Sequence, residues 1–376
     1  MRASTVFSSV MLSAALSGCL GQEPPVVPPS NPYVDATPRT STVSGFVHDP
    51  EAFWYLMANW PMDPEHPEMA PGPLLLEGSP ILSYSSITGA HVNLVDHGVP
   101  AAPTSAVTTQ RGGFNVYGVP ASESTEYLMR SEVPASGVTL GAEMHEPPPV
   151  PMPAAAKYYP TTTLRPIVAS GPFCNLQVAT MVSDAGALGA LAFAISDEQG
   201  RTVTPDDLMD PNQFGGVVLT WVYAPSEFLD LIVVPADHQV AVETNYGTLY
   251  GIDWAPSMGI PGQTELGYMA GRGAPSYVGY YAVVLPRDVP PEPLIVSFSD
   301  TGSTYPDGSP DPTRPWSIPP VIAEPQPGVS MARVHAFPGG EPPGGPPEDA
   351  YDEFPPEPDM SWVCMPMHPP EPPPGE

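Results

Sequence analysis

The stretch Gly89-Ala90-His91-Val92-Asn93-Leu94-Val95-Asp96 puts Ala90, Val92 and Leu94 on one side and polar residues on the other. A period of two marks a half-buried β-strand, because successive side chains point to opposite faces of a sheet. Similar stretches flank it. Val43-Ser44-Gly45-Phe46-Val47-His48-Asp49 reads as a strand upstream. Downstream, Thr108-Thr109-Gln110-Arg111-Gly112-Gly113 reads as a turn, Phe114–Pro120 resumes the alternation, and Glu126-Tyr127-Leu128-Met129-Arg130 follows as another strand. Proline supplies 58 of the 376 residues and glycine 34, about a quarter of the chain, near the level of low-complexity sequence. That excludes a mainly helical protein, since interior proline costs roughly 3 kcal/mol per helix position.

The best helix signal in the chain nevertheless lies over residues 49–60. Asp49 can cap it, Pro50 sits at its first position, Glu51 favours the dipole, and Asn59-Trp60-Pro61 stops it. Phe53, Leu56, Met57 and Trp60 share one face at i, i+3, i+4 and i+7. Two uses for the aromatic residues here stay open. They cover the end of a sandwich or pack on a second domain, or Phe53, Trp54 and Trp60 form an exposed aromatic patch for a glycan or protein partner.

The order Gly45-Phe46-Val47, Ala90-His91-Val92-Asn93-Leu94, Thr108-Thr109 with Gly113-Phe114, Pro120 and Tyr127-Leu128 resembles the carboxypeptidase regulatory-like domain. The resemblance covers about 90 of the 376 residues and departs by an insertion of about 40 residues between the first two strands, which holds the helix. It implies a small transthyretin-like β-sandwich over 43–134 with a non-catalytic accessory role, and it supplies no active site.

Residues 135–163, with Glu146-Pro147-Pro148-Pro149, read as a proline-rich linker. Beyond it, 164–337 reads as a second, larger β-sandwich-like domain. Its candidate strands are Asn175–Val182, Leu188–Ile195, Gly216–Tyr223, Leu229–Val234, Gln239–Glu243, Gly247–Asp253, Tyr277–Leu285, Leu294–Ser299 and Val329–Ala336. Asp197-Glu198-Gln199-Gly200 reads as a turn, and Thr204-Pro205-Asp206-Asp207 starts a short helix. Tyr277, Tyr280 and Tyr281, with Trp221 and Tyr223, line either a sugar-binding face or the core; alternation alone does not say which side is wet.

The first residues carry an address. Arg2 gives a positive start, Val6–Leu16 a weakly apolar run, and Leu16-Ser17-Gly18-Cys19 an ending. This resembles the bacterial lipoprotein signal and its lipobox. The resemblance implies removal of residues 1–18 and a lipid on Cys19. Leu20, where an aspartate tends to retain such proteins at the inner membrane, implies the outer membrane. Residues 19–42 then form a proline-rich tether in extended geometry, and 338–376 an acidic, proline-rich tail without Lys or Arg. The apolar run is too short to span a bilayer.

The chain holds 41 Asp+Glu against 11 Lys+Arg, a net charge of -30, and its one lysine is Lys157. Such a balance argues against a phosphate-binding surface and so against nucleic acid as a partner. No nucleophile elbow, zinc-protease helix, P-loop or dinucleotide fingerprint occurs. No catalytic residue, metal ligand or cofactor is assigned. His91 and His97 read as surface residues, and Asp300, Asp307 and Asp311 as an acidic turn without calcium-loop spacing. Cys174 and Cys364 remain as a disulfide candidate.

The expectation is therefore an all-β, two-domain protein, lipid-anchored in a bacterial outer membrane, with a non-catalytic binding or structural role toward an envelope protein or polysaccharide. The alternative is an envelope polysaccharide hydrolase using a carboxylate pair in the second domain.

Overall fold

Strand β1 (Thr40–His48) is the spine of the first half. It pairs parallel with β10 (Cys174–Thr180) on one edge and antiparallel with β5 (Gly113–Pro120) on the other. Gly45 permits the first pairing: a Cβ there would lie 1.7 Å from the Gln177 carbonyl oxygen. This small sheet faces a row of four strands, β9 (Thr161–Val168), β6 (Glu126–Glu132), β3 (His91–Asp96) and β4 (Val99–Val107). Val43, Val47, Phe114 and Val116 from one sheet meet Val92, Leu94, Met129 and Ile167 from the other in one buried apolar cluster. The alternation around residue 92 thus buries its apolar side as expected. Short pairs β2 (Ile87–Thr88) with β7 (Thr139–Leu140), and β8 (Tyr158–Tyr159) with β11 (Val182–Ser183), close the ends.

The structure is a computed structural model and describes residues 40–61, 80–96, 99–120, 126–141, 149–152, 156–168, 174–225, 234–256, 258–305, 307–324 and 326–339. The leader, Cys19, the tether, His97, Cys364 and all but the first residues of the tail lie outside these. So does most of the expected strand Leu229–Val234.

The expected boundary at 135–163 is not a boundary in the sheet. Strand β9 pairs with β6 on one side and, parallel, with β19 (Val329–His335) on the other. Beyond β19 the same sheet runs through β12 (Gly216–Tyr223), β16 (Tyr280–Leu285), β14 (Thr248–Trp254) and β15 (Tyr268–Arg272), nine strands in all. The joint is Thr161-Thr162-Thr163, fully buried between Met129–Ser131 and Val329–Met331. Thr163 Oγ1 accepts from the Thr180 amide at 3.0 Å, tying β9 to β10. A β-branched polar residue fits here because it packs on a pleated face and still satisfies its hydroxyl. The first strand expected of a second domain, Asn175–Val182, therefore belongs to the first sandwich as β10.

The second half has three layers. The central strands β12 and β16 are buried along their whole length. On one face Val218, Val222, Val283 and Leu285 meet a three-stranded sheet of β13 (Val240–Thr244), β17 (Leu294–Asp300) and β18 (Val321–Ala323). That pair of sheets accords with the β-rich reading. On the other face Leu219, Trp221, Tyr280 and Ala282 meet helices. Helix α1 (Pro50–Asn59) forms as predicted, capped by the Asp49 side chain; α2 (Pro80–Ser85) lies beside it. Helix α3 (Ala187–Gln199) occupies the segment expected to be a strand with a following turn. Leu188, Leu191, Ala192 and Ile195 recur at helical spacing and are buried, and Gly200 ends the helix in the left-handed region at φ 62°. Helix α4 (Pro205–Met209) carries the expected cap at Thr204, reciprocated by Asp207. Among the described residues no helix is long and apolar enough to cross a membrane.

Candidate functional site

Helix α1 does not present the exposed aromatic patch. Phe53 is buried, and Trp54 and Trp60 are half-buried against the main core. The Trp54 ring meets Trp221 and Trp254 edge-on, with centroids 6.5 and 5.9 Å away. Burying Phe53 and Leu56 contributes on the order of 1.5–3 kcal/mol each. The second aromatic group divides too. Trp221, Tyr223, Tyr280 and Tyr281 are core, since both faces of their strands are covered, and Tyr277 is exposed beside His238.

What α1 carries into that core is a carboxyl group. Glu51 Oε1 accepts from the Ala187 amide at 2.8 Å and from the Tyr280 hydroxyl at 2.9 Å. The Tyr268 hydroxyl donates to the Glu51 carbonyl at 3.2 Å. Trp221 stacks on Tyr280 at 4.3 Å and seals the space. Ala187 is the first residue of α3, and Gly186 at its cap position has no side chain to satisfy the free amides of the first turn. Glu51 supplies the missing acceptor from another helix. Gly186 makes room for it: a Cβ there would fall 1.7 Å from Glu51 Oε2.

Asp49 sits beside this group. Its Oδ1 accepts from the Glu51 and Ala52 amides, and its Oδ2 from the Tyr158 hydroxyl at 3.0 Å. Burial, and then the Asp49 carboxylate, push the Glu51 carboxyl from 4.5 up to about 8, outweighing the hydrogen bonds from Ala187 and Tyr280. Burial also raises Asp49, from 3.8 to about 6. Burial and Arg333 hold His48 well below its ordinary 6.5. At neutral pH the cluster thus holds a protonated Glu51, an ionised Asp49 and a neutral His48. Oε1 takes both donors, which leaves the proton to Oε2, an atom with no hydrogen-bond partner among the described residues. An unpaired neutral hydroxyl costs less than an unpaired buried charge.

The cluster is sealed, and an open groove of about 490 Å³ lies next to it. One wall is the start of α3, from Asp184 and Ala185 through Gly189 to Phe193; the other is the segment Gly262–Glu265. Phe193 is 50% exposed, and Met258 and Ile260 nearby are 73% and 44% exposed. Gln263 shapes the second wall by donating to the Ala255 and Pro256 carbonyls and accepting from the Met258 amide. The Leu266 amide donates to the Ala185 carbonyl at 3.2 Å, joining the walls. Asp184 Oδ1 accepts from the Lys157 amide, while the Lys157 ammonium pairs with Asp206. Glu265 is exposed at the rim.

The other acidic gathering is occupied from within. Asp300 and Asp311, expected in a turn with Asp307, converge with Asp237 on the buried Arg314 guanidinium, at 3.0, 3.4 and 2.8 Å. Trp316 stacks on it at 3.8 Å. Asp307 instead caps Ser309 on the surface. His91 is exposed, as expected. Cys174 opens β10, while Cys364 falls outside the described residues.

No protein-family profile matches the chain, and no curated protein does. Among solved structures, a double mutant of the shaft pilin SpaA from Lactobacillus rhamnosus GG aligns with 82% of this chain and 100% of its own. The identity is 8% and the TM-score 0.19, so this likeness carries no argument about fold or function.

If Glu51 and Gly186 share one space, Gly186→Ala lowers stability by about 1–3 kcal/mol through overpacking. In a double-mutant cycle with Glu51→Ala the two costs fall short of additive, by more than about 0.5 kcal/mol. Strict additivity in denaturant titrations contradicts the arrangement.

Proposed function

We propose that this chain is a lipid-anchored envelope protein whose folded body is a non-catalytic binding module, and that its partner is a protein segment seated in the groove beside α3. The observation that carries the reading is the groove itself: a half-exposed Phe193 with Asp184 and Glu265 around it. A partner that fits offers an apolar anchor for Phe193 and basic side chains for the carboxylates. The net charge of -30 attracts a basic segment and repels an anionic polymer.

A neutral polysaccharide draws no benefit from that field. For the hydrolase alternative, the carboxylates that line this groove are Asp184 and Glu265. Neither is buried, and a general acid working on a glycosidic bond depends on burial to stay protonated. Binding is therefore the favoured use. The lipid on Cys19 and the transthyretin-like ancestry of the first sandwich belong to the same proposal. They rest on Leu16-Ser17-Gly18-Cys19 and on the strand order from Gly45 to Leu128.

Two experiments follow. Cys19→Ser is expected to move the protein from the membrane fraction to the soluble fraction, and retention in the membrane overturns the anchor. A fluorescent peptide with lysines around a central phenylalanine is expected to bind the mature protein and weaken with salt, while its glutamate counterpart does not bind. Phe193→Ala and Glu265→Gln are each expected to weaken it about tenfold, the effect of losing a modest anchor. Equal binding of both peptides, or indifference to Phe193→Ala, contradicts the groove reading.

A further inference from the structure

Both walls of the groove are fastened to Glu51. The α3 wall begins at the Ala187 amide, which Glu51 Oε1 holds at 2.8 Å. The other wall leads directly into β15, whose Tyr268 hydroxyl holds the Glu51 backbone carbonyl at 3.2 Å. Tyr268 is also hydrogen-bonded to the wall: its carbonyl accepts from the Thr264 amide at 2.9 Å, and its amide donates to Thr264 Oγ1 at 3.1 Å. Gln263 and Thr264 line the groove. One fully buried residue therefore spans the start of α3 and the root of the 260–267 segment.

We propose that Glu51 is a protonation-controlled latch on the groove, holding its two walls in place while its carboxyl is neutral and releasing them when it ionises. The proposal concerns regulation of the groove and rests on the reading of that groove as the binding site. Ionisation places a second negative charge beside Asp49 in a sealed space. Glu51 Oε2 has no hydrogen-bond partner among the described residues, so the new charge is relieved by opening the cluster to water. The joint that yields is the start of α3, whose cap has no side-chain acceptor of its own.

The titratable groups of the cluster define the pH range. Glu51 faces Asp49 from the α1 cap, Tyr268 from β15 and Tyr280 from β16; Tyr158 from β8 bonds Asp49, Tyr223 from β12 acts on Tyr268 and Tyr280, and His48 at the end of β1 precedes Asp49. From β19 Arg333 faces His48, and α3 offers the Ala187 amide. Burial holds Tyr223, Tyr268 and Tyr280 protonated throughout. Above about pH 6.5, the ordinary histidine value, His48 is neutral in the closed state and mostly neutral in the open one, so its proton uptake on opening offsets only part of the release and fades as the pH rises. Asp49 titrates lower, at about 6. Between there and about 8, Glu51 keeps a proton in the closed state that it loses in an open state near 4.5. Each opening then releases up to one proton, so raising the pH favours opening.

The test is hydrogen exchange by mass spectrometry on the mature protein without ligand, each rate divided by the intrinsic rate at that pH. Opening of 184–189 and 260–267 is expected to rise with pH from about 6.5, by at most about tenfold per unit, and to level off around 8. In Glu51→Gln, which keeps an acceptor without the titration, the profile is expected to be flat. Tyr280→Phe removes a donor that favours the ionised form, so the levelling point moves to higher pH. A flat wild-type profile, or the same slope in Glu51→Gln, overturns the latch. Binding of the basic peptide is measured in parallel at both ends of the range. Absence of binding at the lower pH with the exchange slope present removes the ligand reading and leaves the latch. Unchanged binding with a flat exchange profile removes the latch and leaves the ligand reading.

Discussion

Glu51 caps a helix that begins 136 residues after it. Helix α3 covers one face of the central strands, and its first turn has no acceptor of its own. The carboxyl that fills the gap arrives on α1, an insertion between the first two strands of the other half. Its position is fixed in turn by Asp49 at the α1 cap, by Tyr268 and Tyr280 from the sheet, and by the bare Cα of Gly186. The cost of a buried ionisable group is met by keeping it protonated, as burial and a neighbouring carboxylate do.

The same economy of charge runs through the molecule. A chain with 41 acids and 11 strong bases cannot pair its carboxylates one to one. Arg314 serves three at once, and Trp316 covers its open face. Lys157, the one lysine, is held by Asp206 beside the groove. Glu126, Glu243, Glu265, Asp288 and Glu292 by contrast are exposed, and the net charge of -30 gives the chain a negative field. The proposed binding role rests on a surface of this sign and on a groove with one aromatic anchor.

Much of the fold was legible because it follows from local rules. The alternation at 90–94 and the apolar run Gly216–Tyr223 became strands. Asp49-Pro50-Glu51 and Thr204-Pro205-Asp206-Asp207 became helix starts, since cap, proline and acid all lie within one turn. The segment 187–199 was misread as a strand for a definite reason. Its alanines and branched residues fit either state, and the residue that caps it lies in another helix. The boundary at 135–163 was misplaced because a proline-rich stretch looks like a spacer, whereas Thr161–Thr163 pair with β6 just before them and with β19 168 positions later. The aromatic residues were visible and their burial was not: a strand buried on both faces shows no alternation to read.

The central claim is that the Glu51 carboxyl is neutral in the folded protein at physiological pH. It is tested most directly by carbon-detected NMR titration of the glutamate side-chain carboxyls in the mature chain, with Glu51→Gln assigning the resonance. The account predicts that one carboxyl titrates above pH 7, near 8, and is missing from the variant. Titration of the Glu51 resonance near its ordinary 4.5 would contradict it and remove the latch.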